Sequence, residues 1–256
     1  MMRHCLCLLL ACFALLAQAA PETLRIHVVP IVNQEHFLER VLEPFAREHG
    51  LALEITAVHG REVARAAREG RADLVIVHTK FPGRHRLVKD GVIVDGTEVF
   101  ANPIALLGPP DDPAGVAGAA DAAEAMARIR RAKACVLEND LDGLVRDTRA
   151  LAGADTCYRR EKGAVGLGAV QIAAREGWYT WWGLHPFALI EQPLRAFVWP
   201  EARLLRPLNA AVVADAPAAG HAAAAVAWLR SPAGRAAIEA FRLARFPAQQ
   251  AFWAAP

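Results

Sequence analysis

Cysteine is scarce in this chain. Of the five in 256 residues, Cys5, Cys7 and Cys12 fall at the very start, leaving only Cys135 and Cys157. That excludes a disulfide-dense scaffold and a cysteine-built zinc site. No Cys-x-x-Cys pair, His-Glu-x-x-His segment or Gly-x-Ser-x-Gly elbow is present, so the familiar metalloprotease and hydrolase motifs are missing. Gly163, Gly166 and Gly168 are spaced glycines, but they follow no strand in the dinucleotide-binding pattern. Surplus charge is missing too: 29 Lys and Arg offset 27 Asp and Glu, for a net charge of +2. A nucleic-acid binder or a polybasic membrane patch would need far more. Beyond the N-terminus no apolar run reaches about 18 residues, so no membrane span is expected in the mature chain. An enzyme is not expected, and nothing points to a cofactor.

What is present is apolar: hydrophobic residues make up 54% and charged residues 22%. Such a chain buries an ample core, as one large domain or two small ones. The first nineteen residues stand apart. Arg3 gives a positive start, residues 5–16 are apolar, and Ala17-Gln18-Ala19 is an A-x-A cleavage pattern. Residues 1–19 therefore read as a secretory signal peptide. The alternative is lipid attachment at Cys12, within Leu9-Leu10-Ala11-Cys12, although the apolar segment before it would be short. Export places Cys135 and Cys157 in an oxidising compartment, where a disulfide between them is expected. Two unpaired buried thiols are the other possibility.

The rest alternates strands and helices. Residues 24–29, 51–58 and 73–78 read as strands. The first helix carries Phe37, Leu38, Val41, Leu42 and Phe45 on one face, capped by Asn33 and bent by Pro44. Residues 99–107 form a long hydrophobic strand that breaks at Gly108-Pro109-Pro110. A second strand-helix series follows, and residues 208–214 look like a return crossover. The second series includes a helix near 121–133, strands at 134–137 and 157–159, and a helix at 163–176. Ser231-Pro232 starts the last helix. A strand that leaves one α/β unit and enters another marks a hinge. Two lobes are expected, 21–105 with 205–256 and 106–204, around a cleft. One undivided sheet would contradict this.

These residues resemble a known family. Residues 70–78 (G-R-A-D-L-V-I-V-H) and 104–118, with G-P-P-D-D-P-A-G-V-A-G, are similar to the periplasmic tungstate-binding proteins of ABC importers, and the likeness extends over nearly all of the mature chain. It implies an α/β, two-lobed type II periplasmic binding protein fold with two crossover strands. It also implies a small ligand held between the lobes. The ligand positions differ. The family's Thr/Ser-rich first loop is Val28-Val29-Pro30-Ile31-Val32-Asn33 here. Its Gly-Thr-Gly turn is His59-Gly60-Arg61. An Arg of its second lobe is replaced by Glu138, a Ser by Asp142, and another Arg by Leu184. By that comparison tungstate or molybdate should bind weakly.

Ligands of open parallel sheets sit beyond the carboxyl ends of the strands. Candidate ligand-binding residues there are His59, Arg61, His78, Glu138, Asp140, Asp142, Tyr179, Trp181 and Trp182. His59 and His78 facing carboxylates could take a transition-metal ion. Tryptophan faces beside carboxylates could take an organic cation. Arg61 near a helix start keeps an anion open. Asp140 could instead cap a helix, Trp181 and Trp182 could be core, and His27 reads as a core residue. The functional expectation is an exported, periplasmic, monomeric solute-binding protein that serves an ABC-type permease. The alternative is a periplasmic sensor or accessory protein that moves no solute.

Overall fold

The computed structural model describes residues 21–141 and 143–256. The expected signal peptide, Cys12 and Asp142 lie outside the described residues.

Strand β1 (Glu22–Val28) continues through a 3-10 segment, Pro30–His36, into α1 (Phe37–His49). The expected apolar face of α1 is buried against the sheet. Its start differs from expectation. His36 precedes the first helical residue in a left-handed conformation, and Asn33 caps nothing. Asn33 Nδ2 instead donates to Glu39 Oε1 at 3.1 Å. The helix also runs on through Pro44. Strand β2 (Leu51–Ala57), α2 (Gly60–Arg68), β3 (Leu74–His78) and α3 (Pro82–Lys89) follow, with β1 parallel to both β2 and β3. Asp73, fully buried before β3, accepts from Arg25 N at 2.8 Å, Nε at 3.0 Å and Nη2 at 2.7 Å. Burial opposes its ionisation, but these bonds outweigh it and hold the carboxyl below the usual range.

Strand β4 (Thr97–Gly108) is the long hydrophobic strand. After it come α4 (Ala122–Arg131), β5 (Cys135–Leu137), α5 (Leu144–Ala152), β6 (Cys157–Arg159) and α6 (Leu167–Glu176). Then follow β7 (Tyr179–Gly183), α7 (Leu184–Ala188), β8 (Arg195–Phe197) and the return strand β9 (Leu205–Val212). Helices α8 (Ala219–Arg230) and α9 (Pro232–Ala240) and the short β10 (Trp253–Ala254) end the chain. Asp121 caps α4 by accepting from Glu124 N at 2.7 Å, and Ser231 caps α9 by accepting from Gly234 N at 3.1 Å.

The strands lie on one continuous path, divided at β4. Residues 97–103 of β4 pair with β9, which pairs with β3. Residues 104–108 pair with β7 and β8, and β7 continues to β5 and β6. Two sheets therefore share one strand. Side chains alternate across a strand, and here the alternation serves two cores. Ile104 and Leu106 join Met126, Val136, Tyr179 and Trp181, while Ala105 and Leu107 join the larger cluster around β1, β3 and α1.

Helix α7 was not anticipated. Leu184 and Phe187 pack into the larger cluster, and His185 between them is fully buried. Its Nδ1 lies 3.2 Å from Gln34 Oε1, and its Nε2 lies 2.9 Å from the Ala251 carbonyl. Burial pushes the imidazole down to about 4, with only the Ala251 carbonyl favouring the charged form. Cys135 and Cys157 face each other in register on β5 and β6, with Cα atoms 4.6 Å apart, and are joined.

Two predictions follow from these contacts. The bond between Cys135 and Cys157 closes a loop with a sequence separation of 22. Chain entropy assigns such a loop about 3 kcal/mol. The paired substitution Cys135→Ser with Cys157→Ser should lower the free energy of unfolding in urea by about that amount, and an unchanged midpoint would contradict it. The second concerns pH. His185 takes up a proton less readily folded than unfolded, so its contribution is complete above about pH 6.5. It is lost as pH falls toward about 4 and is level below that. Urea titrations should show a loss of at most about 3 kcal/mol from this group across that window. His185→Gln should flatten the slope there.

Candidate functional site

A cavity of about 360 Å³ opens where the turn after β3 meets α5. His78, Lys80 and Phe81 form one wall. Gly143, Arg146 and Asp147 line it from the start of α5, and Arg206, at the start of β9, joins them. It therefore draws on the first sheet, on a helix of the second, and on the return strand between them.

Charge decides what this space favours. Lys80 and Arg146 are exposed, and Arg206 is partly buried. Arg206 Nη1 donates to Asp147 Oδ2 at 3.1 Å, while Arg146 Nε lies 3.3 Å from Asp147 Oδ1. Burial lowers the affinity of Arg206 for its proton, and Asp147 partly restores it. Burial likewise pushes the His78 imidazole down, so it counts as neutral at pH 7. Among the described lining residues, three cations face one carboxylate. The surplus is two positive charges.

The residues expected from sequence are distributed differently. Among the described residues expected from sequence, His78 alone lines this cavity. His59 is exposed at the start of α2, its carbonyl accepting from Glu62 N and Val63 N. Arg61 lines a separate hollow of about 390 Å³ with Phe81, Pro82, Gly83 and Arg86. Asp140 is exposed on an open depression of about 650 Å³ beside α5, and its backbone N–H donates to the Ala164 carbonyl. It does not cap α5, which begins after Gly143.

Glu138 is not among the described residues that line this cavity. It is 7% exposed and held by two arginines. Arg149 donates to its Oε2 through Nε at 3.0 Å and also through Nη2. Arg160 Nε lies 3.3 Å from its Oε1. A carboxylate so engaged presents no free negative charge to a ligand.

Tyr179 and Trp181 are core residues. Tyr179 is fully buried; its hydroxyl donates to Asp112 Oδ1 at 3.0 Å and accepts from Ala114 N at 3.2 Å. Asp112 in turn accepts from Val116 N and Ala117 N, both at 2.9 Å. The D-D-P-A-G segment is thus a fastened turn at the end of β4. Burial pushes the Tyr179 phenol well up. Trp181 packs 6.4 Å from Trp199 between ring centroids. Trp182 is half-buried against the larger core. His27 is buried in β1, its Nδ1 without a partner among the described residues. Among those residues no three His, Cys, Asp or Glu side chains gather to hold a metal ion.

Sequence reasoning missed Lys80, Phe81, Arg146, Asp147 and Arg206. It searched the loops at strand ends, whereas α5 and β9 supply three of these from regular structure. The only local signal was the pairing of a basic residue with an acidic one on α5.

Comparisons with known proteins agree with this architecture. The chain is similar in fold to the tungstate-binding protein TupA from Desulfovibrio alaskensis G20, with TM-score 0.69 and 20% identity over 91% of this chain and 99% of that one. It is also similar to the tungstate ABC transporter protein from Geobacter sulfurreducens, with TM-score 0.61 and 22% identity over 86% and 99%. At such identity the likeness shows the fold, the two-lobed α/β type II fold of periplasmic binding proteins with two crossover strands. A Haloferax volcanii protein named as an ABC transporter anion-binding protein is 31% identical over 121 residues, which is 44% of this chain and 35% of that protein. The chain thus spans about a third of the length of this relative. The family profile of bacterial extracellular solute-binding proteins matches residues 26–241. This chain belongs to that family of binding proteins, which are not enzymes.

Proposed function

We propose that this protein captures a small anion between two lobes and delivers it to an ABC-type permease. The lobes are 21–105 with 205–256, and 106–204. Export through residues 1–19 places it in the periplasm, where it acts as a monomer. The observation that carries the anion is the surplus of two positive charges on the cavity lining, with Glu138 withdrawn into its pairs with Arg149 and Arg160. The names of relatives support the same class: one is named for anion binding and two for tungstate.

This reading replaces the expectation of a metal or organic cation. A cation in this cavity would meet Lys80, Arg146 and Arg206 with only Asp147 to offset them. One unpaired like charge at about 4 Å costs roughly 4 kcal/mol at an effective dielectric constant of 20. The weak binding expected of tungstate no longer follows from Glu138, because that carboxylate is neutralised.

Lys80→Ala and Arg146→Ala test the reading without disturbing the core, since both side chains are exposed. Calorimetry against a panel of small anions should show each variant weakened by about 1–2 kcal/mol, roughly 5- to 30-fold in Kd. Their melting temperatures without ligand should match the parent. Tighter binding of zinc, magnesium or choline than of any anion would overturn the anion reading.

A further inference from the structure

We infer that the ligand is an organic dianion, two carboxylates carried on an apolar frame, rather than a tetrahedral oxyanion. This rests on the reading of the cavity as an anion site and names the chemistry within it.

The first observation is the wall formed by Phe81. Its ring is seated between Gly60 and Gly83, where an added Cβ would come within 3.0 Å and 2.3 Å of it. Only glycine leaves that slot open at both positions. The ring stands beside the first turn of α2, and Phe81 lines both this cavity and the hollow of Arg61. Apolar surface is present where a compact oxyanion would need backbone N–H donors.

The second is where donors are spent. A tetrahedral oxyanion in a closed site is held by hydrogen bonds on several sides. Among the described lining residues of this cavity none carries a hydroxyl. Two amides of the loop after β1 are already engaged: Val29 N donates to the Ile76 carbonyl of β3 at 3.2 Å and Val32 N to the Val29 carbonyl at 2.9 Å. Pro30 has no N–H to give. Beyond it Gln34 meets His185 in a buried contact.

The third is size and charge layout. A volume of about 360 Å³ falls in the range of pockets that enclose organic ligands. The cations come from three elements: Lys80 follows β3, Arg146 is on α5 and Arg206 is on β9. Arg146 and Arg206 converge on Asp147, and Lys80 is a second cationic point; two such points suit an anion with two separated carboxylates. Phe81 then covers the frame between them.

Calorimetry on the purified protein tests this with sulfate, molybdate and tungstate against succinate, adipate and terephthalate. At least one dicarboxylate should bind roughly 30-fold or more tightly than any of the three oxyanions. Phe81→Ala should weaken that dicarboxylate about tenfold and change the oxyanions less than about threefold, whereas Phe81→Leu keeps an apolar wall and retains binding. Tungstate or molybdate binding as tightly as every dicarboxylate overturns the inference and leaves the anion reading standing. So does equal loss of both classes in Phe81→Ala. Binding of zinc or choline with no anion bound overturns both. Failure of all three dicarboxylates to bind overturns the inference.

Discussion

One strand belongs to both sheets, and the position of the cleft depends on it. Strand β4 gives residues 97–103 to the first sheet and 104–108 to the second. Its side chains alternate between two cores, so neither half can slide without exposing apolar surface in both. Strand β9 runs back beside the first half and brings Arg206 to the junction. The start of helix α5 and the turn after β3 line the cavity with it. Residues from three distant parts of the chain meet because one strand is constrained from both sides.

The sign of the cavity is set by Lys80, Arg146, Arg206 and Asp147 on its lining. Glu138, the carboxylate expected to face a ligand, is not among the described lining residues. Burial against Arg149 and Arg160 removes that charge from play. Asp147 is then the one lining carboxylate among the described residues, and Arg206 engages it. A buried acid that finds two guanidinium partners costs little as an ion, yet an unpaired one would be expensive to keep.

Much of the fold was legible in the sequence, because its signals are local. The apolar face of α1, the caps at Asp121 and Ser231, and the continuous run of β3 depend on neighbours a few residues apart. The 3-10 segment before α1 was not legible. Its left-handed Glu35 and His36 are stabilised by tertiary contacts, among them Glu35 accepting from Ala244 N. The candidate site was the least legible part. Glu138 meets Arg160 across two strands, and Tyr179 meets Asp112 across 67 positions. Nothing near Glu138 in sequence reveals that its charge is already taken. Nothing near Tyr179 reveals that it secures a turn rather than a ligand. The resemblance to tungstate-binding proteins identified the scaffold but pointed to the loop after β1, where Val29 N and Val32 N are already engaged.

A crystal structure of the protein grown with a bound dicarboxylate tests the central claim most directly. The account predicts carboxylate density beside Arg206 and a second carboxylate facing Lys80, with the frame against Phe81. An ordered anion seated instead at His59 and Arg61, or a cation held at Asp140, would contradict it.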